Sequence, residues 1–292
     1  MIRGVAPESD FEIGSISKAI TGLLYADACG RGEIAPATPL GELLPLGNCA
    51  AAGVSIGSLS RHASGLPRLA PAAPGSASML RRTASLVLQG DNPYGESLAE
   101  LLEQARAVRR LGTRPRYSNL GYELLGHAVA AGAGTGYREL VAARLSGPLA
   151  LDSVYMPATP GELRPGALTG TSRGGRPRQP WTGEALAPAG GIRASIQDLA
   201  RLARALLDGT APGMAALDPV AKFGGPAVRI GAAWLTLDAK GRRVTWHNGG
   251  TGGFSSWIGL DREANAGVVL LTATAAPVDQ PGFELLRELP AR

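Results

Sequence analysis

The chain has 292 residues, 45% of them hydrophobic, and a formal charge of +5; a chain of this size and apolar content can bury about three quarters of its unfolded surface, which excludes general disorder. It contains no run of about 18 uninterrupted apolar residues, which argues against a transmembrane helix. The positive charge sits on dispersed arginines with few aromatic residues among them, so it does not make a nucleic-acid footprint.

In chain order, Ile16 to Ala28 has the composition of a helix that stops before Gly30 and Gly32. At its start stands Ser15-Ile16-Ser17-Lys18, which puts a hydroxyl and an amine one helical turn apart on a shared face. Of the 29 basic residues only Lys18, Lys222 and Lys240 are lysine. A guanidinium cannot give up its proton inside a protein and an ammonium can, so position 18 has a chemical reason to be lysine. A serine is a poor nucleophile until a neighbouring base takes its proton, and an amine in hydrogen-bond reach is one such base. The plainer alternative is that Ser15 caps the helix and Lys18 is a solvated surface residue.

Farther on, Gly53-Val54-Ser55-Ile56-Gly57 matches a nucleophile elbow, but that elbow needs a buried strand before it and a helix after it. PLGNCAA precedes it and reads as loop, so Ser55 is taken as the start of the short helix SIGSLSRH. His62 follows in LSRHASGLP as a structural hydrogen-bonding residue, and Leu66 to Gly75 is a proline- and glycine-rich loop. Leu86 to Val108 holds helical material interrupted by DNPYG. Arg106, Arg109, Arg110, Arg114 and Arg116 then form the densest basic cluster. It reads as a solvated face, with attraction of an anionic substrate by Arg114 or Arg116 as the minority alternative.

Tyr117-Ser118-Asn119 closes a loop and opens the helical run Leu120 to Ala131. A phenol near an amine can pass a proton, and an amide can hold a lysine or a substrate amide; alternatively Asn119 is a helix cap and Tyr117 packs on the next turn. Tyr137 to Leu145 is a further helix, with His127 packed on the one before it. Pro157 to Pro188 is a long connection suited to border a cleft, and Ser195 caps a helix reaching Leu207. The strands of a closing sheet are expected from about Ile230. RRVTWHNGGTGGFSSWIGLDREANAGVVLLTAT reads as strand, glycine turn, strand, polar turn, strand, with His247-Asn248-Gly249-Gly250 at the end of the first. A glycine-bearing strand edge lets a substrate lie alongside it and can offer an N–H to an oxyanion. Lys222-Phe223-Gly224 imitates a lysine-and-glycine strand motif but is expected to lack the following strand and glycine turn. Helices in the middle and antiparallel strands at the end give an α+β chain. Cys29 and Cys49 lack the spacing of a zinc or redox motif, and His62, His127 and His247 form no metal-binding pair.

The motifs S-x-x-K, Y-x-N and H-x-G occur once each, in that order. With the stretches FEIGSISKAITGLLYADA, LSRHASGLPRL, GTRPRYSNLGYELLG, LAPAGGIRASIQDLARL and WHNGGTGGFSSWIGLD they cover nearly the whole chain. On these residues the chain resembles the penicillin-recognising serine hydrolases, in the branch of class C β-lactamases, D-alanyl-D-alanine carboxypeptidases and family VIII esterases. The resemblance implies a β-lactamase/transpeptidase-like α+β fold over residues 1–292, with a helical lobe at roughly 15–190 and a sheet lobe at roughly 191–292 plus the N-terminal residues. It implies Ser15 as acylated nucleophile, Lys18 as its activator and Tyr117 as proton relay. Asn119 would contact Lys18 and the substrate amide, His247 would stand where most class C β-lactamases have lysine, and Asn248 and Gly249 would line the substrate. The N–H groups of Ser15 and Gly250 would form the oxyanion hole. The implied work is acyl transfer on a β-lactam, a D-Ala peptide or a small ester, a small-molecule substrate in each case, without metal or organic cofactor. The alternative is a fold-sharing binding module without catalysis.

Two departures from the family pattern shape these expectations. Asn248 stands where a Thr or Ser is usual, which removes a hydroxyl that helps hold a substrate carboxylate and moves weight toward ester or amide substrates. Only fourteen residues precede Ser15, where relatives place a helix and two strands. Met1 to Val5 would be the tail of one strand, and Ala266 to Thr274 would be an uncovered apolar edge. The expectation is then either a coding start upstream or an edge covered by a partner chain, including self-association. As written, without a signal peptide, the chain reads as cytoplasmic; an upstream start could make it extracytoplasmic.

Overall fold

The stretch behind Ser15 folds as α1 (Ile16–Gly30), and because its residues are apolar or small on every side, Ile16, Ile20, Leu23 and Leu24 are all fully buried. The computed structural model describes residues 4–69, 92, 96–109, 111, 112, 114–239 and 241–289. Residues 70–75, 86–91, 93–95 and Arg110, which carried part of the expected loop, helix and basic cluster, lie outside the described residues.

The short helices α2 (Leu40–Leu43) and α3 (Ile56–Ser60), then α4 (Leu98–Arg106), pack against α5 (Asn119–Gly132), which itself packs on α1; α6 (Tyr137–Val141), which continues as a π turn through Ser146, also packs against α5. Ser97 and Glu100 form a reciprocal capping box on α4. Ser118, not Asn119, caps α5, accepting from the Gly121 N–H. Ser195 caps α7 (Ile196–Leu207) by accepting from the Asp198 N–H, as its position suggested. A final helix, α8 (Asp279–Glu288), was not expected.

A two-stranded ribbon pairs β1 (Phe11–Glu12) with β2 (Arg193–Ala194). The main sheet is an antiparallel meander in chain order: β3 (Ala221–Lys222), β4 (Val228–Ile230), β5 (Leu235–Ala239), β6 (Arg242–Gly250), β7 (Ser255–Asp261) and β8 (Ala266–Thr272). It begins earlier than Ile230, and Lys222-Phe223-Gly224 does lead through a turn into a strand, contrary to expectation; Gly224 holds φ at 68° there. The pleat sends Ile258 and Leu260 into the main core with α1 and α7. Trp246 and Trp257 point to the opposite face, where Phe283 and Leu286 of α8 cover them.

β8 is the last strand of the sheet, paired with β7, and its seven residues are half-buried beneath α7 and α8. Residues 4–9 form turns and no strand. No helix among the described residues is long and apolar enough to cross a membrane.

Candidate active site

Ser15 stands at the cap position of α1 with helical dihedrals, but its hydroxyl caps nothing. Its Oγ instead accepts from Lys18 Nζ at 3.1 Å and from the Tyr117 hydroxyl at 2.8 Å. Lys18 is fully buried rather than solvated, and its ammonium also donates to the Ala189 carbonyl and lies 5.1 Å from the centre of the Tyr117 ring. Two donors converging on one serine oxygen are the arrangement that stabilises negative charge on it. For the hydroxyl to release its proton, one of the two must first stand in its deprotonated form.

The segment carrying Ser15 is clamped on both sides. The Ile13 N–H donates to the Ile192 carbonyl at 3.1 Å, and the Ile13 carbonyl accepts from Ser256 Oγ of β7 at 2.7 Å. The end of β6 presses on the same segment. A Cβ at Gly249 would lie 2.1 Å from the Ile13 carbonyl oxygen and 2.9 Å from Ser15 N, whereas one at Gly250 would meet nothing nearer than the Phe254 carbonyl oxygen at 3.8 Å. Gly249→Ala is therefore expected to cost about 1–3 kcal/mol through overpacking, and Gly250→Ala to be tolerated structurally. Urea unfolding of both variants measures this; equal midpoints would contradict the close approach.

Tyr117 is held by His62. The two rings stack with centroids 4.4 Å apart; His62 Nδ1 accepts from the Ser118 N–H at 3.1 Å, and the His62 carbonyl accepts from the Arg116 N–H at 2.9 Å. One residue, itself at a φ of 56°, thus fixes the backbone on both sides of Tyr117 and its ring face. Accepting at Nδ1 makes the neutral ring carry its proton on Nε2.

Ser15, Tyr117, Asn119, Asn248, Gly249 and Gly250 border one cleft of about 750 Å3, with Trp181 and Leu186 from the long connection forming another wall. Asn119 is nearly buried at the first position of α5, with its N–H donated to the Arg68 carbonyl at 3.0 Å. His247 does not border the cleft. It lies buried behind the wall, donating from Nδ1 to the Asn248 carbonyl at 2.7 Å, close enough to Lys18 to feel its charge. The alternation of β6 explains this, since His247 and Asn248 must face opposite sides. Ser55 opens α3 and Lys222 lies on the first strand of the sheet, and neither borders the cleft.

Burial, and then the Lys18 ammonium, push the pKa of His247 from 6.5 down to about 4. His62 is held well below its ordinary value by burial first, then by Lys18 and His247. The unfolded chain protonates His247 near pH 6.5 while the folded chain resists until near 4, and His62 is shifted in the same direction, so the unfolded state binds more protons as pH falls below 6.5. Stability is expected to fall as pH drops from about 6.5 toward about 4, with His247 alone contributing about 3 kcal/mol, and to be indifferent to both rings above that window. Urea midpoints across the window test this. His247→Gln should flatten the fall; an unchanged slope would place the acid sensitivity elsewhere.

One cluster escaped the sequence reading. Arg193 is fully buried and forks onto two carboxylates: Nε and Nη2 donate to Asp10 at 3.0 and 3.1 Å, and Nη1 donates to Glu12 Oε1 at 3.1 Å. Nη2 also donates to the Leu168 carbonyl at 3.0 Å, and Glu12 Oε1 accepts from the Trp181 N–H at 2.9 Å. The cluster thereby ties the long connection, Trp181 included, to the ribbon before Ser15. Burial raises the pKa of Glu12, while at Asp10 the burial that would raise it is outweighed by hydrogen bonds from Arg193 and Tyr155.

The sequence profile of the Beta-lactamase family matches residues 2–289. A human protein named beta-lactamase-like 1 is 28% identical over 254 residues, covering 83% of this chain and 47% of the relative, so the chain spans about half the length of the curated relative it matches. Among solved structures, a class C beta lactamase from Rhodobacter sphaeroides superposes with a TM-score of 0.73 at 21% identity, over 94% of this chain and 82% of that one. A beta-lactamase/D-alanine carboxypeptidase from Pseudomonas syringae superposes with a TM-score of 0.79 at 19% identity, over 98% and 86%.

Proposed function

Since the chain belongs to the Beta-lactamase family, we propose that it is a serine hydrolase working through an acyl-enzyme on an amide or ester, with Ser15 as nucleophile. The observation that carries this reading is the convergence of the Lys18 ammonium and the Tyr117 hydroxyl on Ser15 Oγ at 3.1 and 2.8 Å, at the edge of an open cleft.

In the proposed cycle Ser15 Oγ attacks the substrate carbonyl and forms a C–O bond while its proton passes into the Lys18–Tyr117 pair. The carbonyl oxygen becomes an oxyanion that takes hydrogen bonds from the N–H groups of Ser15 and Gly250; losing one such donor typically costs about 2.7–4 kcal/mol of transition-state stabilisation. The C–N or C–O bond to the leaving group then breaks, and that group leaves with the proton returned through Tyr117. Water repeats the sequence on the acyl-Ser15 ester and frees the acid. Asn119 and Asn248 hold the substrate beside the reacting bond, and His247, neutral behind the wall, supports the Lys18 side of the site.

Stopped-flow hydrolysis of 4-nitrophenyl acetate tests the proposal. A burst of nitrophenol equal to the enzyme concentration supports an acyl-enzyme, and the absence of turnover and burst with activated esters and with a chromogenic cephalosporin would favour a binding module instead.

A further inference from the structure

We infer that Arg68 is an anion-recognition residue of this cleft, selecting ester or amide substrates that carry a carboxylate; the inference rests on the acyl-transfer reading of the same site. Among the described residues bordering the cleft, Arg68 is the one with a formally charged side chain on its open surface, and no acidic residue borders it. Lys18 is fully buried and engaged with Ser15 and Ala189, and the buried carboxylates Asp10 and Glu12 are held by Arg193. The described part of the cleft surface therefore carries positive charge.

Arg68 is also fixed in place. Its carbonyl accepts from the Asn119 N–H at 3.0 Å, the Pro67 carbonyl accepts from Ser118 Oγ at 2.7 Å, and its guanidinium lies 5.6 Å from the centre of the Tyr117 ring. Two hydrogen bonds thus join its loop to the start of α5, and the ring steers the exposed side chain along the cleft. No carboxylate among the described residues forms an ion pair with Arg68, which leaves its guanidinium available to a carboxylate that enters the cleft. Arg114 and Arg116, the arginines singled out from sequence, are exposed but do not border the cleft. With Asn248 offering an amide where a hydroxyl is usual, Arg68 supplies the bidentate fork that a carboxylate takes best.

The test uses two ester pairs: 4-nitrophenyl hydrogen glutarate against its methyl ester, with the charge on the acyl side, and 3-(butyryloxy)benzoate against its methyl ester, with the charge on the leaving side. The expected result is a kcat/KM preference for the anion in at least one pair. It should fall about tenfold in Arg68→Gln, be partly kept in Arg68→Lys, and weaken with added salt in the parent chain alone. No preference in either pair, or a preference undiminished in Arg68→Gln, overturns the inference. If the parent chain hydrolyses none of the four, calorimetric binding of the same compounds to Ser15→Ala decides. A carboxylate preference abolished by adding Arg68→Gln keeps the anion site while the acyl-enzyme reading falls, and no preference removes both.

Discussion

Replacing Ser15 with alanine is expected to lower kcat/KM for an activated ester by about ten-thousandfold or more, since removing a serine nucleophile from such a unit costs that order of rate. Tyr117→Phe removes one of the two hydrogen bonds to Ser15 Oγ and is expected to cost about a hundredfold to ten-thousandfold, the range of a lost proton-transfer partner. Lys18→Arg separates two accounts of the buried cation. Arginine keeps the charge but cannot give up a proton, so a rate as low as that of Lys18→Met means Lys18 moves the proton, and a retained rate means it serves as fixed charge. The losses should not add, because the three groups act on one oxygen. Ser55→Ala is expected to keep the parent rate, since Ser55 does not border the cleft; a loss there with a retained rate in Ser15→Ala would move the nucleophile to the elbow-like motif.

Arg193→Met is expected to destabilise the fold by about 3–5 kcal/mol, the usual cost of leaving buried charge unpaired. Arg193 has no exposed surface and serves Asp10 and Glu12 together, so its removal leaves two enclosed carboxyl groups without their cation. Arg193→Lys should recover only part of the loss, because an ammonium cannot fork onto both. Adding Asp10→Asn and Glu12→Gln to Arg193→Met should restore much of it by removing the charge that made the single change costly. Urea midpoints for the set decide: if the triple variant is no better than Arg193→Met, the loss comes from packing and not from charge. The same variants should raise KM, since the cluster holds the Trp181 backbone in the cleft wall.

Local chemistry made Ser15 and Lys18 readable in advance: one helical turn separates them, and a chain that uses arginine almost everywhere keeps lysine at position 18. The final three strands were equally plain, because alternation with glycine and polar turns is a short-range pattern. The earlier strands β3 and β4 were missed because they are two and three residues long, below the length at which alternation shows. Helix α8 was missed because Pro281 and Gly282 lie inside it. Pro281 falls in the first turn, where it is tolerated, and Gly282 packs against Trp257, where a Cβ would lie 2.4 Å from the ring.

Long-range geometry hid the rest. Arg193, Asp10 and Glu12 meet across most of the chain length, and nothing adjacent to any of them announces it. Arg68 was hidden by a denser arginine cluster whose described members do not border the cleft. The position of His247 behind the wall follows from the pleat of β6, yet which face of that strand meets α1 is set only by the packing of the sheet. His62 was recognisable as a hydrogen-bonding residue, whereas its stacking beneath Tyr117 required the fold.

The most direct test of the central claim is intact-protein mass spectrometry after treatment with a fluorophosphonate and, separately, a penicillin, followed by peptide mapping. The account predicts one covalent adduct per chain with at least one of the two reagents, located on Ser15 and absent from Ser15→Ala. An adduct on another residue, or none with either reagent, would contradict it.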